Sequence, residues 1–272
     1  MTALARLDDW PVATAAAAVV GPDGVLATHG AVDHVFALAS VTKPLAALAV
    51  LVAVEEEAIA LDDEPAPFLP GATARHLLAH ASGIAAEERR REREPGERRV
   101  YSNAGFDLLG THLAEATGIA FGDYLREAVF APLAMTSATL DGSPAHAGRA
   151  AVTDIARICA ELLTPSGLLG TATLDELRTV QFPGLRGVLP GFGGQPANDW
   201  GLGFEIRDSK SPHWTGTRNS PATYGHFGQS GTMFWIDPDA SLALVALADQ
   251  PFGQWAKDAW PALSDSVLAE FG

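Results

Sequence analysis

Strand-like segments lie at the two ends of this chain, and a long stretch of helical periodicity separates them. Near the N-terminus, two apolar runs flank a Gly-Pro-Asp-Gly turn, which predicts a hairpin over residues 15–29. Strand patterns return at residues 203–207, 231–237 and 241–248. Residues 72–180 instead show mostly helical periodicity. A sheet assembled from both ends of the chain, with helices inserted between them, buries all of these apolar faces.

We therefore predict an α/β (α+β) fold in which an antiparallel sheet from both termini is flanked by helices and carries an inserted all-helical domain. Residues 1–60 and 200–272 would form the discontinuous sheet domain, and residues 61–199 the helical domain with its loops. An apolar helix is expected from about Ser40 through Ala60, and a terminal helix from Trp255 to Phe271.

Two segments of the middle region are predicted to be loops. Residues 182–198 contain five glycines and three prolines, which favours a loop that can act as a flap over a site. Residues 87–99 are dense in glutamate and arginine, a composition typical of a solvated surface segment.

Composition narrows the class of protein. The chain has 272 residues, of which 47% are hydrophobic and 19% charged, so it can bury a sizeable core. Its formal net charge of −15 argues against a nucleic-acid partner. The single cysteine, Cys159, cannot form an intrachain disulfide. The apolar stretch 13–20 is short and leads into a turn, so we expect no membrane segment and a cytoplasmic location.

The first chemical motif is Ser40-Val41-Thr42-Lys43 at the start of a helix. Residues three apart share one helical face, so the serine hydroxyl and the lysine amine can meet. A lysine held in a desolvated pocket can take the serine proton, whereas arginine cannot. The chain has only three lysines against fifteen arginines, so a lysine at this position favours a role that arginine cannot fill, such as that of a base. A helix cap beside a snorkelling lysine is the structural alternative.

The second motif is Tyr101-Ser102-Asn103, which precedes a predicted helix. A tyrosine near an ammonium group has its phenolate form favoured, which would make Tyr101 a proton carrier. The Asn103 amide can hold the lysine or a substrate carbonyl. Ser102 or Asn103 is also a suitable helix N-cap, a structural role that does not exclude the chemical one.

The third motif runs from Gly225 to Gly231 and leads into a strand. Glycines at a strand start allow a ligand to approach the backbone closely. A backbone N–H here could pair with the N–H of Ser40 as an oxyanion hole. A glycine-rich turn without a ligand is the structural alternative.

Together the three motifs resemble those of serine β-lactamases, DD-peptidases and their related esterases, and the Tyr-Ser-Asn form is similar to the class C branch. The resemblance covers roughly residues 15–250. It implies that Ser40 is the nucleophile and that Lys43 and Tyr101 share proton transfer. It also implies residues that contact the substrate or the oxyanion, namely Asn103, His226, Gly228 and Gln229, with the Ser40 and Gln229 N–H groups forming the oxyanion hole. Further stretches resemble the same branch: residues 76–84, 101–110, 131–135 and 235–239.

The third motif departs from the usual Lys-Thr-Gly of this family, because His226-Phe227-Gly228 stands in its place. Histidine carries less charge at neutral pH, and phenylalanine offers no hydroxyl to a substrate carboxylate. The sequence therefore favours a cofactor-free serine hydrolase that acts on small esters or amides. A true class C-like β-lactamase or D-amino-acid peptidase is the nearest alternative, and a non-catalytic binding module on the same fold is a third.

Other catalytic and metal-binding patterns are weaker. His76 and His80 are four residues apart, a spacing suited to a metal, but no glutamate or third ligand accompanies them. No G-x-S-x-G nucleophile elbow is present, so an α/β-hydrolase would lack its serine. We expect no metal and no cofactor. The natural substrate and the oligomeric state stay open.

Overall fold

The computed structural model describes residues 2–272, and its main feature is a six-stranded antiparallel sheet. The strands are β1 (Ala15–Gly21), β2 (Gly24–Gly30), β3 (Phe36–Ala37), β4 (Thr139–Leu140), β5 (Gly148–Ala150), β6 (Gly187–Leu189), β7 (Gly193–Gln195), β8 (Glu205–Ile206), β9 (Tyr224–Gly228), β10 (Thr232–Asp237) and β11 (Leu242–Ala248). The helices are α1 (Thr42–Glu55), α2 (Ala74–Leu78), α3 (Asn103–Thr117), α4 (Phe121–Leu125), α5 (Val152–Leu163), α6 (Thr171–Leu177) and α7 (Gln254–Phe271). Shorter helical turns occur at Ala3–Asp9, Ala39–Val41 and Arg126–Phe130.

The large sheet has the strand order β2-β1-β11-β10-β9-β8, so the N-terminal hairpin lies beside the last strand of the chain. Ala15 pairs with Ala248 and Val20 with Ala243 along this junction. The predicted fold class, with an antiparallel sheet drawn from both ends, is therefore confirmed. The division into a sheet domain and a helical domain stays a prediction.

Both faces of the central strands are buried. Along β11, Val245 and Leu247 pack in a first core with α1, α3 and α5, whereas Leu244 and Ala246 pack in a second core with α7. This two-sided burial explains why β11 is a continuous apolar run rather than an alternating one. Leu38 and Val41, at the two ends of the turn that precedes α1, also belong to the first core.

Helix α1 is shorter than predicted at both ends. It begins at Thr42, because Ser40 lies in the preceding 3₁₀ turn, and it ends at Glu55 rather than near Ala60. Successive glutamates at its C-terminus oppose the helix dipole, and Glu57 adopts a left-handed conformation that ends the helix. The terminal helix α7 is confirmed. Within residues 2–272, no helix combines the length and the apolarity that a membrane crossing requires.

The region predicted as helices and loops also contains short strands. Residues 182–198 are not a plain loop, because β6 and β7 form a hairpin there around Gly191, whose φ of +78° suits the turn. The helical middle likewise contributes β4 and β5, and β5 pairs with both β3 and β4 in a three-stranded sheet.

The charged segment 87–99 is only partly a solvated loop. Residues 87–94 are exposed, as predicted, but Arg99 is 2% exposed. Its guanidinium donates hydrogen bonds to the carbonyls of Ala79, Gln181, Phe182 and Asn198. The prediction is therefore wrong for Arg99. It was based on the composition of the segment alone, whereas the carbonyls that bind the guanidinium lie far away in sequence.

Candidate active site

Ser40 lies in a constrained turn between β3 and α1. The preceding residue, Ala39, has a φ of +45°, a conformation that is strained for a residue with a Cβ. The carbonyl of Ala39 accepts from the Thr42 hydroxyl at 2.6 Å, and the carbonyl of Leu38 accepts from the Thr232 hydroxyl at 2.8 Å. These contacts hold the strained turn and fix the Ser40 side chain at the edge of the sheet.

Lys43 has no exposed surface, and its amine lies within hydrogen-bond distance of three oxygens. Its Nζ lies 3.2 Å from Ser40 Oγ, 2.7 Å from Asn103 Oδ1 and 2.9 Å from the carbonyl oxygen of Ala145. Asn103 Oδ1 and the Ala145 carbonyl can only accept. A neutral amine would therefore direct its two N–H groups to them and its lone pair to the serine hydroxyl.

The environment of Lys43 favours this neutral amine. Burial lowers the pKa of Lys43 to about 7, although the charges of Glu87 and Asp107 act to raise it. Near neutral pH, a substantial fraction of Lys43 is therefore deprotonated. A serine hydroxyl beside such an amine has a proton acceptor within reach.

Tyr101 lies against the same lysine, with Lys43 Nζ 4.6 Å from the ring centroid. The expectation that the phenolate form is favoured is wrong. Burial raises the pKa of Tyr101 above its usual value, and this outweighs the hydrogen bond with Ser40 that lowers it. Tyr101 is therefore a neutral phenol that can donate a proton.

The N-terminus of α3 presents Asn103 to the site. Ser102 caps this helix, since its Oγ accepts from the Gly105 N–H at 2.9 Å, which identifies the cap that the sequence left open. Asn103 Oδ1 then faces Lys43, while its Nδ2 donates to the carboxylate of Glu87 at 2.8 and 3.1 Å. The Glu87 contact lies outside the three sequence motifs.

The end of β9 packs directly against the Ser40 turn, and only glycine fits at position 228. A Cβ on Gly228 would lie 2.3 Å from the carbonyl oxygen of Leu38 and 3.2 Å from the backbone nitrogen of Ser40. Among residues 2–272, neither the Ser40 N–H nor the Gln229 N–H has a protein acceptor. Both are thus available to a ligand oxygen.

His226 is neutral in this structure. Its Nδ1 lies 2.7 Å from the carbonyl oxygen of Phe227, so Nδ1 carries the proton and Nε2 keeps its lone pair. Burial and the charge of Lys43 lower the pKa of His226 to about 3, which excludes a cationic histidine near pH 7. The Phe227 ring packs largely in the second core, 5.0 Å from the ring of Phe252.

A cavity of about 230 Å³ opens beside Ser40. It is lined by Ser40, Tyr101, Asn103, Leu189, Pro190, Trp200, Glu205, His226, Phe227 and Gln229. Five of these residues appear among the predicted site residues, and Gly228 lies next to them in β9. Leu189 and Pro190 belong to segment 182–198, which was predicted as a flap over a site, whereas no motif pointed to the wall formed by Trp200.

Glu205 is the second carboxylate that was missed. It is buried and accepts from Lys210, from His213 Nε2 at 2.9 Å and from Trp214 Nε1 at 2.8 Å. Burial acts to raise the pKa of Glu205, but the charges of His213 and Lys210 outweigh it and lower the pKa to about 2. A lone glutamate in an otherwise apolar strand pattern was the signal that could have revealed it.

The two histidines considered as metal ligands have other contacts. His76 Nδ1 lies 2.9 Å from the Thr73 hydroxyl, and its ring stacks on Phe182. His80 Nδ1 accepts from the Ser102 N–H at 3.2 Å, and its ring packs 4.5 Å from that of Tyr101. The His80 ring therefore packs against the Tyr101 ring and helps to fix its position.

This fold, with a half-exposed serine and tyrosine placed around a buried lysine, is typical of a class of serine hydrolases. The family model described as Beta-lactamase matches residues 6–267, and the chain belongs to that family. A β-lactamase from Mycobacterium bovis is 56% identical, with a TM-score of 0.97 over 99% of each chain.

More distant relatives share the fold or part of the sequence. EstCE1, described as a hydrolase with promiscuous acyltransferase activity, is 17% identical with a TM-score of 0.81, over 98% of this chain and 96% of that chain. Penicillin-binding protein 4* of Bacillus subtilis is 29% identical over 134 residues, which cover 38% of this chain and 30% of that protein. The chain spans less than half the length of the curated relatives that it matches.

Proposed function

We propose that this protein hydrolyses small neutral esters or amides through an acyl-enzyme on Ser40. The observation that carries the proposal is the Lys43 amine, whose two fixed acceptors leave its lone pair for the Ser40 hydroxyl. Its pKa of about 7 suits a base that works near neutral pH. Membership of the β-lactamase family, established across residues 6–267, supports the same chemistry.

Acylation begins when Ser40 Oγ attacks the substrate carbonyl carbon and Lys43 Nζ takes the hydroxyl proton. The oxyanion that forms accepts from the N–H groups of Ser40 and Gln229, which have no protein acceptor among the described residues. Tyr101 donates its phenolic proton to the leaving group as the ester or amide bond breaks. The Lys43 ammonium then returns a proton to Tyr101.

Deacylation repeats these steps with water as the nucleophile. Neutral Lys43 accepts a proton from the water as its oxygen attacks the acyl carbon. Ser40 Oγ leaves as the second bond breaks and regains its proton from the lysine. The product is a carboxylic acid, and the enzyme returns to its starting protonation state.

The cavity favours a neutral substrate. Its histidine presents no charge, because burial holds the pKa of His226 at about 3. The buried carboxylate of Glu205 is matched by Lys210, so this pair adds no free cation. An anionic substrate group would enter without a fixed counter-charge, which is costly in a buried site.

A second candidate function is hydrolysis of a β-lactam or a D-amino-acid peptide. It is favoured by the names of relatives, since the M. bovis protein is called a β-lactamase and a matching Escherichia coli protein a putative D-alanyl-D-alanine carboxypeptidase. A non-catalytic binding module would not need Ser40, Lys43, Tyr101 and Asn103 in mutual contact, so the geometry argues against that function.

The test is labelling with a fluorophosphonate probe, followed by intact mass and peptide mapping, together with turnover of p-nitrophenyl acetate. Ser40→Ala should abolish labelling and lower turnover on the order of 10³-fold or more, because the covalent path is removed. Ser266→Ala on α7 is the matched control and should label normally. Labelling of the Ser40→Ala variant at another serine, such as Ser102 or Ser230, would contradict the proposal.

A further inference from the structure

Glu87 begins the charged segment that follows Ala86, and its carboxylate turns inward toward the site. Three other glutamates of this segment, Glu88, Glu94 and Glu97, pair with arginines of the same segment. Glu87 instead accepts two hydrogen bonds from Asn103 Nδ2, at 2.8 and 3.1 Å. Such an exposed contact contributes little to stability, so its value lies in what it does to Asn103.

The contact decides which way the Asn103 amide faces. The oxygen and nitrogen of an asparagine amide have the same shape but opposite hydrogen-bonding roles. A carboxylate can only accept, so Glu87 attracts Nδ2 and leaves Oδ1 directed at Lys43 Nζ, 2.7 Å away. The reversed amide would present N–H groups to the lysine and remove one of the acceptors that orient its lone pair.

Charged groups from several parts of the chain influence the protonation of Lys43. Glu87 and Asp107 both favour the ammonium form, and Glu87 is the stronger of the two. The other titratable groups around the lysine are Tyr101, His80 and His226, all neutral because burial opposes their charged forms. The proton affinity of Lys43 is thus a balance between burial and these two carboxylates.

We propose that Glu87 is a positioning residue of the active site, which fixes the Asn103 amide so that Oδ1 holds Lys43 in line with Ser40. A second consequence is that its charge sets the pH range over which Lys43 acts as a base. The inference rests on the proposed acyl-enzyme chemistry. It gives a positioning role to Glu87, a residue that lies outside the three motifs.

The test is the second-order rate constant of fluorophosphonate labelling at Ser40, measured from pH 5 to pH 9. The wild type should lose reactivity as the pH falls through about 7, where Lys43 becomes protonated. Glu87→Gln removes the charge that favours the ammonium, so this limb should move to lower pH by about half a unit. Glu87→Ala also frees the amide, and its rate at high pH should fall on the order of tenfold.

Two variants separate position from charge. Glu87→Asp keeps the charge, so its acid limb should stay within about 0.2 units of the wild type, a fraction of the shift that charge removal causes. Glu88→Gln makes the same change of net charge one residue away, where the carboxylate pairs with Arg90, and should leave the profile unchanged. Thermal unfolding midpoints should agree among all five proteins.

An acid limb in Glu87→Gln that coincides with the wild type would overturn the role of the Glu87 charge, as would an equal shift in Glu88→Gln. A rate at high pH in Glu87→Ala that equals the wild-type rate would overturn the positioning role. These outcomes are distinct from failure of the proposed function. If the wild type is not labelled at Ser40, the acyl-enzyme proposal itself is contradicted. A labelled wild type with unaltered profiles in both Glu87→Gln and Glu87→Ala contradicts only the role of Glu87.

Discussion

Two of the three lysines of this chain, Lys43 and Lys210, are buried, and their amines have different partners. Lys210 keeps a carboxylate partner in Glu205. Lys43 has only neutral acceptors, so desolvation dominates and its pKa falls to about 7. Burial also lowers the pKa of Lys210, but the adjacent charge of Glu205 opposes this effect. The contrast between the two sites supports the proposal that Lys43 acts as a base.

Lys43→Arg is expected to be nearly as damaging to ester turnover as Lys43→Ala, because arginine keeps the charge but does not accept a proton. The turnover of the wild type should rise with pH through about 7, since the deprotonated amine is the active form. Both are measured as kcat/KM for p-nitrophenyl acetate across pH.

The control for that prediction is Lys43→Met, which keeps the length of the side chain without its charge. The folded-state pKa of Lys43 lies below its unfolded value, so this group lowers stability increasingly as the pH falls from the unfolded value toward 7. Lys43→Met should therefore be inactive yet at least as stable as the wild type near pH 7. Near-normal rates in Lys43→Arg would reduce the lysine to an electrostatic role.

Tyr101 illustrates what a motif leaves undetermined. From the sequence, its neighbour Lys43 was the only visible influence, and that influence favours the phenolate. In the fold, His80 and Trp200 pack around the ring and exclude water, so burial has the larger effect. The sign of a pKa shift depends on this burial, which no local spacing encodes.

Arg99 connects segments that are remote in sequence. It joins the end of α2 to residues 181–182 and to Asn198, on either side of the β6–β7 hairpin. That hairpin supplies Leu189 of the cavity wall, and the following turn supplies Pro190. The arginine therefore supports the wall of the site without touching it.

Arg99→Leu is expected to lower the free energy of unfolding by about 2–4 kcal/mol, because buried carbonyls lose their donors. The measurement is urea denaturation, compared with Arg93→Leu in the same segment. Arg93 is exposed, so that control should change stability by less than about 0.5 kcal/mol. Equal effects of the two substitutions would show that Arg99 has no special structural role.

The sequence predicted regular elements better than side-chain partners. The strands of both ends follow from apolar patterns, and the Ser40-to-Lys43 spacing follows from helix geometry. Glu87 and Arg99 were missed because segment 87–99 was assigned to solvent by its composition, and Glu205 was missed because it was treated only as part of a predicted strand. Their partners lie 5 to 99 residues away, and only the fold brings them together.

The site exists because the sheet joins the two ends of the chain. β9 belongs to the C-terminal part, and it carries His226 and Gly228 to the Ser40 turn, which precedes α1. The middle of the chain adds Tyr101 and Asn103, which line the same cavity. We expect substrate selection to depend on this junction, because none of the described residues that line the cavity is a lysine or an arginine.

This electrostatic character predicts the substrate preference. Neutral short-chain esters should exceed penicillins and cephalosporins in kcat/KM by about tenfold to hundredfold, the value of one missing charge-assisted hydrogen bond. Measurement of p-nitrophenyl acetate and nitrocefin in one buffer gives the ratio. Efficient nitrocefin hydrolysis with slow ester turnover would make β-lactamase the leading function.

His226→Lys should narrow that ratio, because it places a cation where the family usually has one. His34→Lys, at an exposed histidine, controls for the added charge and should leave the ratio unchanged. Adding Phe227→Thr supplies the hydroxyl but removes a ring from the second core, at a cost of about 3 kcal/mol or more. The single variant is therefore the decisive one, and a ratio that it leaves unaltered would refute this electrostatic account of selection.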